Sequence, residues 1–287
     1  MLSAMNLLRP IDRDLSVKGL RLRVLDWGGE GRVPLLLLHG FTGHAHAWDT
    51  LSIALQPHFH VYALDQRGHG DSDPADVYNP VVAFDDIGGV VDQLGLASFV
   101  LVGLSMGGRN GMYFASRRPE RVQKLVVVDI GPEVSAKASA PSSGPPEPET
   151  WESIEQAAQH LYRANPYPGI HYYRWVVSHS LRQRPDGALV WKWHPSVKTR
   201  RSTGDVDWWA VVRALTPPTL VLRGEHSTVL DRDVAERMAK ELPRGRFVEI
   251  PRAVHTLHED NPEAVLTALR DFLGFRGDSP VSLRELA

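Results

Sequence analysis

The run Phe99-Val100-Leu101-Val102 is continuously apolar and reads as a buried strand. It leads into Gly103-Leu104-Ser105-Met106-Gly107-Gly108, and a helix-forming stretch continues to about Arg117. A strand that turns sharply into a helix through Gly-x-Ser-x-Gly holds its serine in a strained backbone conformation, the hydroxyl standing clear at the C-terminal edge of a sheet. Glycine is needed at 103 and 107 because a Cβ at either place would crowd the strand or the helix. The Met106 N–H lies in the first turn of that helix, where unpaired N–H groups favour negative charge. Few chains can place this stretch anywhere but on a sheet flanked by helices.

The segments on either side keep the same alternation. Leu20 to Trp27 alternates apolar and charged residues, as a half-exposed antiparallel strand does. Pro34–Leu38, His60–Leu64 and Val122–Ile130 read as buried strands, and helical stretches fall at about Ala47–Leu55 and Pro80–Leu94. After Gly131 the pattern breaks. Glu133 to Thr150 is rich in Pro, Ser and Ala and is expected to be a mobile linker. Trp151 to about Trp209 is dense in aromatic residues, with helical spacing and no clear strand. The alternation then resumes with strand Pro217–Leu222, helix Asp231–Leu242, strand Arg246–Ile250 and helix Asn261–Phe272, before a short tail. Strands apolar on both faces, alternating with helices, call for an α/β fold: a mostly parallel sheet covered on both sides. The expected organisation is a core in two parts, residues 1–132 and 211–287, with a helical lid over residues 133–210.

Bulk properties narrow the function. The formal net charge is −2 over 287 residues, so no basic field points to nucleic acid. There are no cysteines, which excludes disulfides, a thiolate nucleophile and thiolate metal sites. Met1 to Arg9 is too broken for the apolar core of a signal peptide, and no apolar run approaches the ~20 residues that span a bilayer. The expectation is a cytoplasmic protein with no membrane partner. His44 and His46 form a His-x-His with no third ligand in view, so no metal and no cofactor are expected.

A serine hydroxyl becomes a useful nucleophile only when a base takes its proton. Of the thirteen histidines, His255 follows the last strand and precedes the final helix, where a base for Ser105 is expected. His258, three residues on, reads as solvent-facing or as a support for the loop. A developing oxyanion needs two N–H donors. Met106 supplies one, and Phe41, in the glycine-containing loop His39-Gly40-Phe41-Thr42-Gly43, is the candidate for the other. His39 reads as an anchor of that loop. Arg109 and Asn110 follow the elbow in the next helical turn.

Segments 20–131 and 217–273 resemble the α/β-hydrolase superfamily. The resemblance rests on four motifs in order: His39 to Gly43; Asp65-Gln66-Arg67-Gly68-His69-Gly70-Asp71-Ser72; Gly103 to Gly108; and Val254-His255-Thr256-Leu257-His258-Glu259-Asp260-Asn261-Pro262. It implies a cofactor-independent serine hydrolase of the esterase, enol-lactonase and carbon–carbon hydrolase branch. It also implies that Asp65 and Arg67 tie the loop beside the elbow and take no part in catalysis. The chain departs from the family at the acid of the triad. An aspartate is expected shortly after Gly224, where this sequence has Ser227 and Thr228. A hydroxyl can orient an imidazole but cannot balance an imidazolium charge. Asp129, at the end of the strand after the elbow, is the first choice for the acid, with Glu225 and Asp231 as alternatives. Carboxylic ester hydrolysis is the expected activity on a small-molecule ester or lactone. Lactone or carbon–carbon bond hydrolysis by the same residues, and ligand binding without turnover, are the other readings.

Overall fold

The computed structural model describes residues 9–139, 147–200 and 205–276. In chain order the strands are β1 (Ile11–Val17), β2 (Leu20–Asp26), β3 (Pro34–Leu38), β4 (His60–Leu64), β5 (Phe99–Leu104), β6 (Val122–Val128), β7 (Leu181–Gln183), β8 (Leu189–Trp191), β9 (Thr219–Gly224) and β10 (Gly245–Ile250). The helices are α1 (Asp49–Leu55), α2 (Pro80–Gln93), α3 (Met106–Arg117), α4 (Ile154–Ala164), α5 (Ile170–Ser180), α6 (Ser196–Thr199), α7 (Trp208–Ala214), α8 (Arg232–Glu241), α9 (Leu257–Asp260) and α10 (Pro262–Leu273).

Eight strands form one sheet in the order β1-β2-β4-β3-β5-β6-β9-β10. From β4 to β10 neighbours run parallel, and β1 and β2 add an antiparallel edge. Successive residues of the central strands point to opposite faces. Leu36, Leu38, Leu101, Val127 and Val221 join one core layer with residues of α2, α3, α7 and α8. Leu35, Leu37, Val100, Val102 and Val126 join the other with residues of α1 and α10. Both faces are therefore buried, which is why these strands are written as unbroken apolar runs.

β1 has no such signal. Its pattern Ile-Asp-Arg-Asp-Leu-Ser-Val is exposed along most of its length, and it pairs along only one edge. It is held by β2 and by ion pairs such as Arg23 Nη1 with Asp12 Oδ2 at 2.6 Å. Two helix starts follow their chemistry closely. Asn79 accepts hydrogen bonds from the Val81 and Val82 N–H groups ahead of Pro80, and Asn261 accepts one from Ala264 ahead of Pro262.

Between β6 and β9 the chain leaves the sheet. Helices α4 and α5 pack together around Trp151, Ala157, Ala158, Tyr172, Tyr173 and Val177, a small core of their own. Trp151, Tyr172 and Tyr173 thus give the segment an interior, whereas Tyr162, Tyr167 and Trp175 are exposed. The sequence had shown helices alone here, but β7 and β8 pair as a short antiparallel hairpin. At three residues each they are too short for a period-two pattern to show. Polar contacts join the segment to loops of the sheet. His44 Nε2 meets Ser180 Oγ at 2.6 Å, Trp175 Nε1 donates to Asp49 at 3.0 Å, Lys192 Nζ donates to Asp71 at 2.7 Å, and Asn165 Nδ2 donates to Asp260 at 2.6 Å. Helix α7 spans residue 210, the expected end of the lid, and belongs with the core. Its Trp208, Val211 and Val212 pack in the same layer as α3. Residues 140–146 of the expected linker, residues 277–287 of the tail and residues 1–8 lie outside the described residues. Among the described residues no helix is long and apolar enough to cross a membrane.

Candidate active site

Ser105 joins β5 to α3 with φ 52° and ψ −116°. Such a backbone is costly for any residue with a Cβ and persists only where the surroundings fix it. Here they do. A Cβ on Gly103 would lie 2.4 Å from the Gly107 carbonyl oxygen, and one on Gly107 would lie 2.4 Å from that of Leu38. The helix therefore starts hard against both β5 and the end of β3, and no other residue type fits at either glycine.

The loop after β3 is held in place by buried polar groups. His39 accepts the Gln66 backbone N–H at Nε2, at 3.0 Å, and its Nδ1 donates to the Gly40 carbonyl at 2.7 Å. The Gln66 amide donates to the His39 carbonyl at 2.7 Å and accepts from Asn110 Nδ2 of α3 at 2.7 Å. Burial pushes the His39 imidazole down to about 3, so it stays neutral and can accept. This network sets the loop carrying Phe41 beside the first turn of α3. A Cβ on Gly40 would already lie 3.4 Å from that of Ser105.

On the next loops, His255 Nδ1 lies 2.7 Å from Asp129 Oδ2. Asp129 sits just past β6, fully buried, in a left-handed conformation with φ 49°. Its carboxylate also accepts the Gly224 N–H at 3.0 Å and the Ser227 hydroxyl at 2.5 Å. Ser227 Oγ in turn accepts the N–H groups of Val229 and Leu230. The end of β9 and the loop after it, where the family's acid was expected, thus supply one donor each to a carboxylate just past the neighbouring strand. Ser105, Met106, Phe41 and His255 all line one cavity of about 500 Å³.

Residues 33–172 match the family model described as alpha/beta hydrolase fold. A 2-(acetamidomethylene)succinate hydrolase of Mesorhizobium japonicum is 29% identical over 92% of this chain and 95% of its own. An esterase of Mycobacterium tuberculosis is 29% identical over 89% of this chain and 87% of its own. A crystal structure of E-2-(acetamidomethylene)succinate hydrolase superposes with a TM-score of 0.82 at 26% identity, covering 93% of this chain and all of the other. A 2-succinyl-6-hydroxy-2,4-cyclohexadiene-1-carboxylate synthase of Enterobacter sp. reaches 30% identity over 84% of this chain and 92% of its own. The chain belongs to the α/β-hydrolase fold family.

In this α/β hydrolase the alternative acids are engaged elsewhere. Glu225 accepts the Arg252 N–H at 2.9 Å. Asp231 stands at the start of α8, with Lys137 Nζ on its carboxylate at 3.2 Å. Asp65 and Arg67 hold the loop beside the elbow. Asp65 accepts the N–H groups of Ala45 and Asp71, and Arg67 clasps Asp86 through Nε and Nη2 at 2.5 and 2.7 Å. Burial pushes the Asp65 carboxyl up to about 6.

His258 does not face solvent. It is buried and stacks on Trp48 with ring centroids 4.0 Å apart, its imidazole pushed down to about 3 by burial. The short helix α9, invisible in the sequence, turns it inward. His44 and His46 point to separate partners, Ser180 and Asp49. Among the described residues no group of three or more His, Cys, Asp or Glu could hold a metal ion. Arg109 donates to the Gly131 and Pro132 carbonyls and lies over the Trp208 ring, so it fastens α3 to the chain leaving β6.

Sequence reasoning missed Ser227 as a partner of Asp129. The available signal was its place, three residues past the glycine that ends β9, where relatives were expected to carry the acid itself.

Proposed function

We propose that Ser105 of this α/β hydrolase attacks the carbonyl carbon of a carboxylic ester. His255 takes the hydroxyl proton as Ser105 Oγ bonds to that carbon. The carbonyl oxygen becomes an oxyanion held by the N–H groups of Met106 and Phe41. His255 then gives its proton to the leaving alcohol oxygen as the carbon–oxygen bond breaks, leaving an acyl-serine. A water repeats the sequence to release the acid and restore Ser105. Asp129 keeps the His255 Nδ1–H directed at itself and offsets the imidazolium charge in both steps. The inserted segment between β6 and β9 acts as the lid over the cavity.

The observation that carries this reading is the 2.7 Å contact of His255 Nδ1 with a carboxylate that is itself fixed by Gly224 N–H and Ser227 Oγ. The esterase relative supports ester chemistry. One relative is named a synthase, so the fold alone does not choose the reaction, and ester turnover is what must be measured. Wild type is expected to hydrolyse p-nitrophenyl esters and Ser105→Ala to fall to the blank rate with unchanged melting temperature. A Ser105→Ala protein as active as wild type would remove the serine from the mechanism.

A further inference from the structure

The cavity shared by Ser105 and His255 adjoins two other spaces with very different walls. The first is a slot of about 50 Å³ walled by Leu64, Ala83, Ile87, Val197 and Trp208. It shares Phe41, Met106 and Arg109 with the central cavity. The second is a chamber of about 350 Å³ beneath the inserted segment, walled in part by Tyr173, Trp191 and Trp193. It shares Thr42, Gly43, Ala47, Thr256 and Glu259 with the central cavity and is also lined by Val254, so both chain neighbours of His255 border it, whereas the slot touches no residue of the His255 loop.

Reaction geometry assigns the two ends of the substrate. The carbonyl oxygen must reach the donors at Met106 and Phe41, while the leaving oxygen must come within hydrogen-bond reach of His255 to take its proton. The leaving group therefore lies on the side of the His255 loop, and the acyl chain extends from the oxyanion side. We infer that the slot is the acyl pocket, that it admits short acyl groups, and that the chamber takes the larger alcohol portion. This assignment rests on the serine ester-hydrolase reading above.

The size of the slot sets the length. At about 10–15 Å³ for each water-sized group, it holds about four such groups, which is an acetyl to butanoyl chain. Its far wall is firm. Val197 is fully buried, and a Cβ on Gly68 would lie 2.8 Å from Val197 Cγ1 and 2.6 Å from the Tyr78 ring. Several of its polar neighbours are held by fixed contacts. Arg67 is on Asp86, Asn110 Nδ2 on Gln66 at 2.7 Å, and Tyr78 OH meets Ser196 Oγ at 2.7 Å.

The test is a kcat/KM series on p-nitrophenyl acetate, butyrate, hexanoate and octanoate. It uses wild type, Ala83→Leu, Val197→Ala and the Ser105→Ala blank, with melting curves as the check on folding. Wild type is expected to lose at least about tenfold between butyrate and hexanoate. Ala83→Leu narrows the slot and should lower the butyrate-to-acetate ratio about tenfold, whereas Val197→Ala deepens it and should raise the hexanoate-to-butyrate ratio by a similar factor. Wild-type octanoate turnover equal to butyrate, or ratios unmoved in both folded variants, overturns the assignment and leaves the ester-hydrolase reading standing. A wild type inert on all four esters overturns that reading and the assignment with it.

Discussion

At the scale of single residues, the Asp129 carboxylate stands one strand over from the family's usual place for the acid and lies 2.7 Å from His255 Nδ1. β6 and β9 are adjacent and parallel, Val128 pairing with Leu222, so their C-terminal ends rise side by side. A carboxylate just past β6 and a hydroxyl in the loop after β9 reach the same place. Asp129→Asn is expected to reduce kcat by about 10³–10⁴ with the fold intact, because the amide no longer holds the productive tautomer or balances the charge on His255. Ser227→Ala should reduce kcat by about tenfold, since it removes one donor and leaves Gly224 N–H on the carboxylate. Ester kinetics across pH on both variants check this. An Asp129→Asn enzyme at the wild-type rate would move the acid elsewhere.

At the scale of elements, α2 carries two adjacent glycines whose surroundings give them opposite roles. A Cβ on Gly89 would lie 2.4 Å from Val17 Cγ1, at the point where the helix crosses β1. A Cβ on Gly88 would meet only the Phe114 ring, at 4.0 Å. Alanine is favoured over glycine in a helix interior by about 1 kcal/mol. Gly88→Ala should therefore raise stability by about 0.5–1 kcal/mol. Gly89→Ala should lower it by about 1–3 kcal/mol, because Val17 is β-branched and cannot swing aside. Urea unfolding of the two variants measures the difference. Adding Val17→Ala should recover part of the Gly89→Ala loss, and an additive double variant would show that the contact is not the cause.

At the scale of the whole molecule, buried titratable groups set how stability responds to acid. His39 and His258 are held down to about 3 by burial, against about 6.5 in an unfolded chain. The unfolded chain binds more protons between those values, so each histidine contributes stability that is present above about 6.5 and is lost as pH falls toward 3. Asp65 and Glu259, pushed up by burial to about 6 and about 7, act in the opposite sense: the fold keeps their protons where an unfolded chain releases them. The clean measurement is a difference. His258→Phe keeps a ring against Trp48 and removes one titration, so its stability relative to wild type should rise as pH falls from 7 to 4. A difference that stays flat across that range would mean that His258 takes up its proton in the fold at the same pH as in an unfolded chain.

The amino-acid order by itself determined the layered core and the sharp turn at Ser105. Strands buried on both faces must be apolar at every residue, and Gly103 is dictated by its contact with Gly107 a few residues on, so both are written locally, whereas Gly107 faces Leu38 of β3 and answers to the packed sheet. His255 was legible for a similar reason, as a histidine in the loop after the last strand. Edge strand β1 and hairpin β7–β8 were not, because an exposed strand needs no apolar face and a three-residue strand has no period. Asp129 was the first of three carboxylates offered for His255, but the choice among them, the inward turn of His258 and the seating of Trp208 in the core were decided only by the tertiary structure. Each depends on which strand ends and loops come to lie together, and the sheet order β5-β6-β9-β10 that joins residue 129 to residues 224, 227 and 255 is a property of the packed chain.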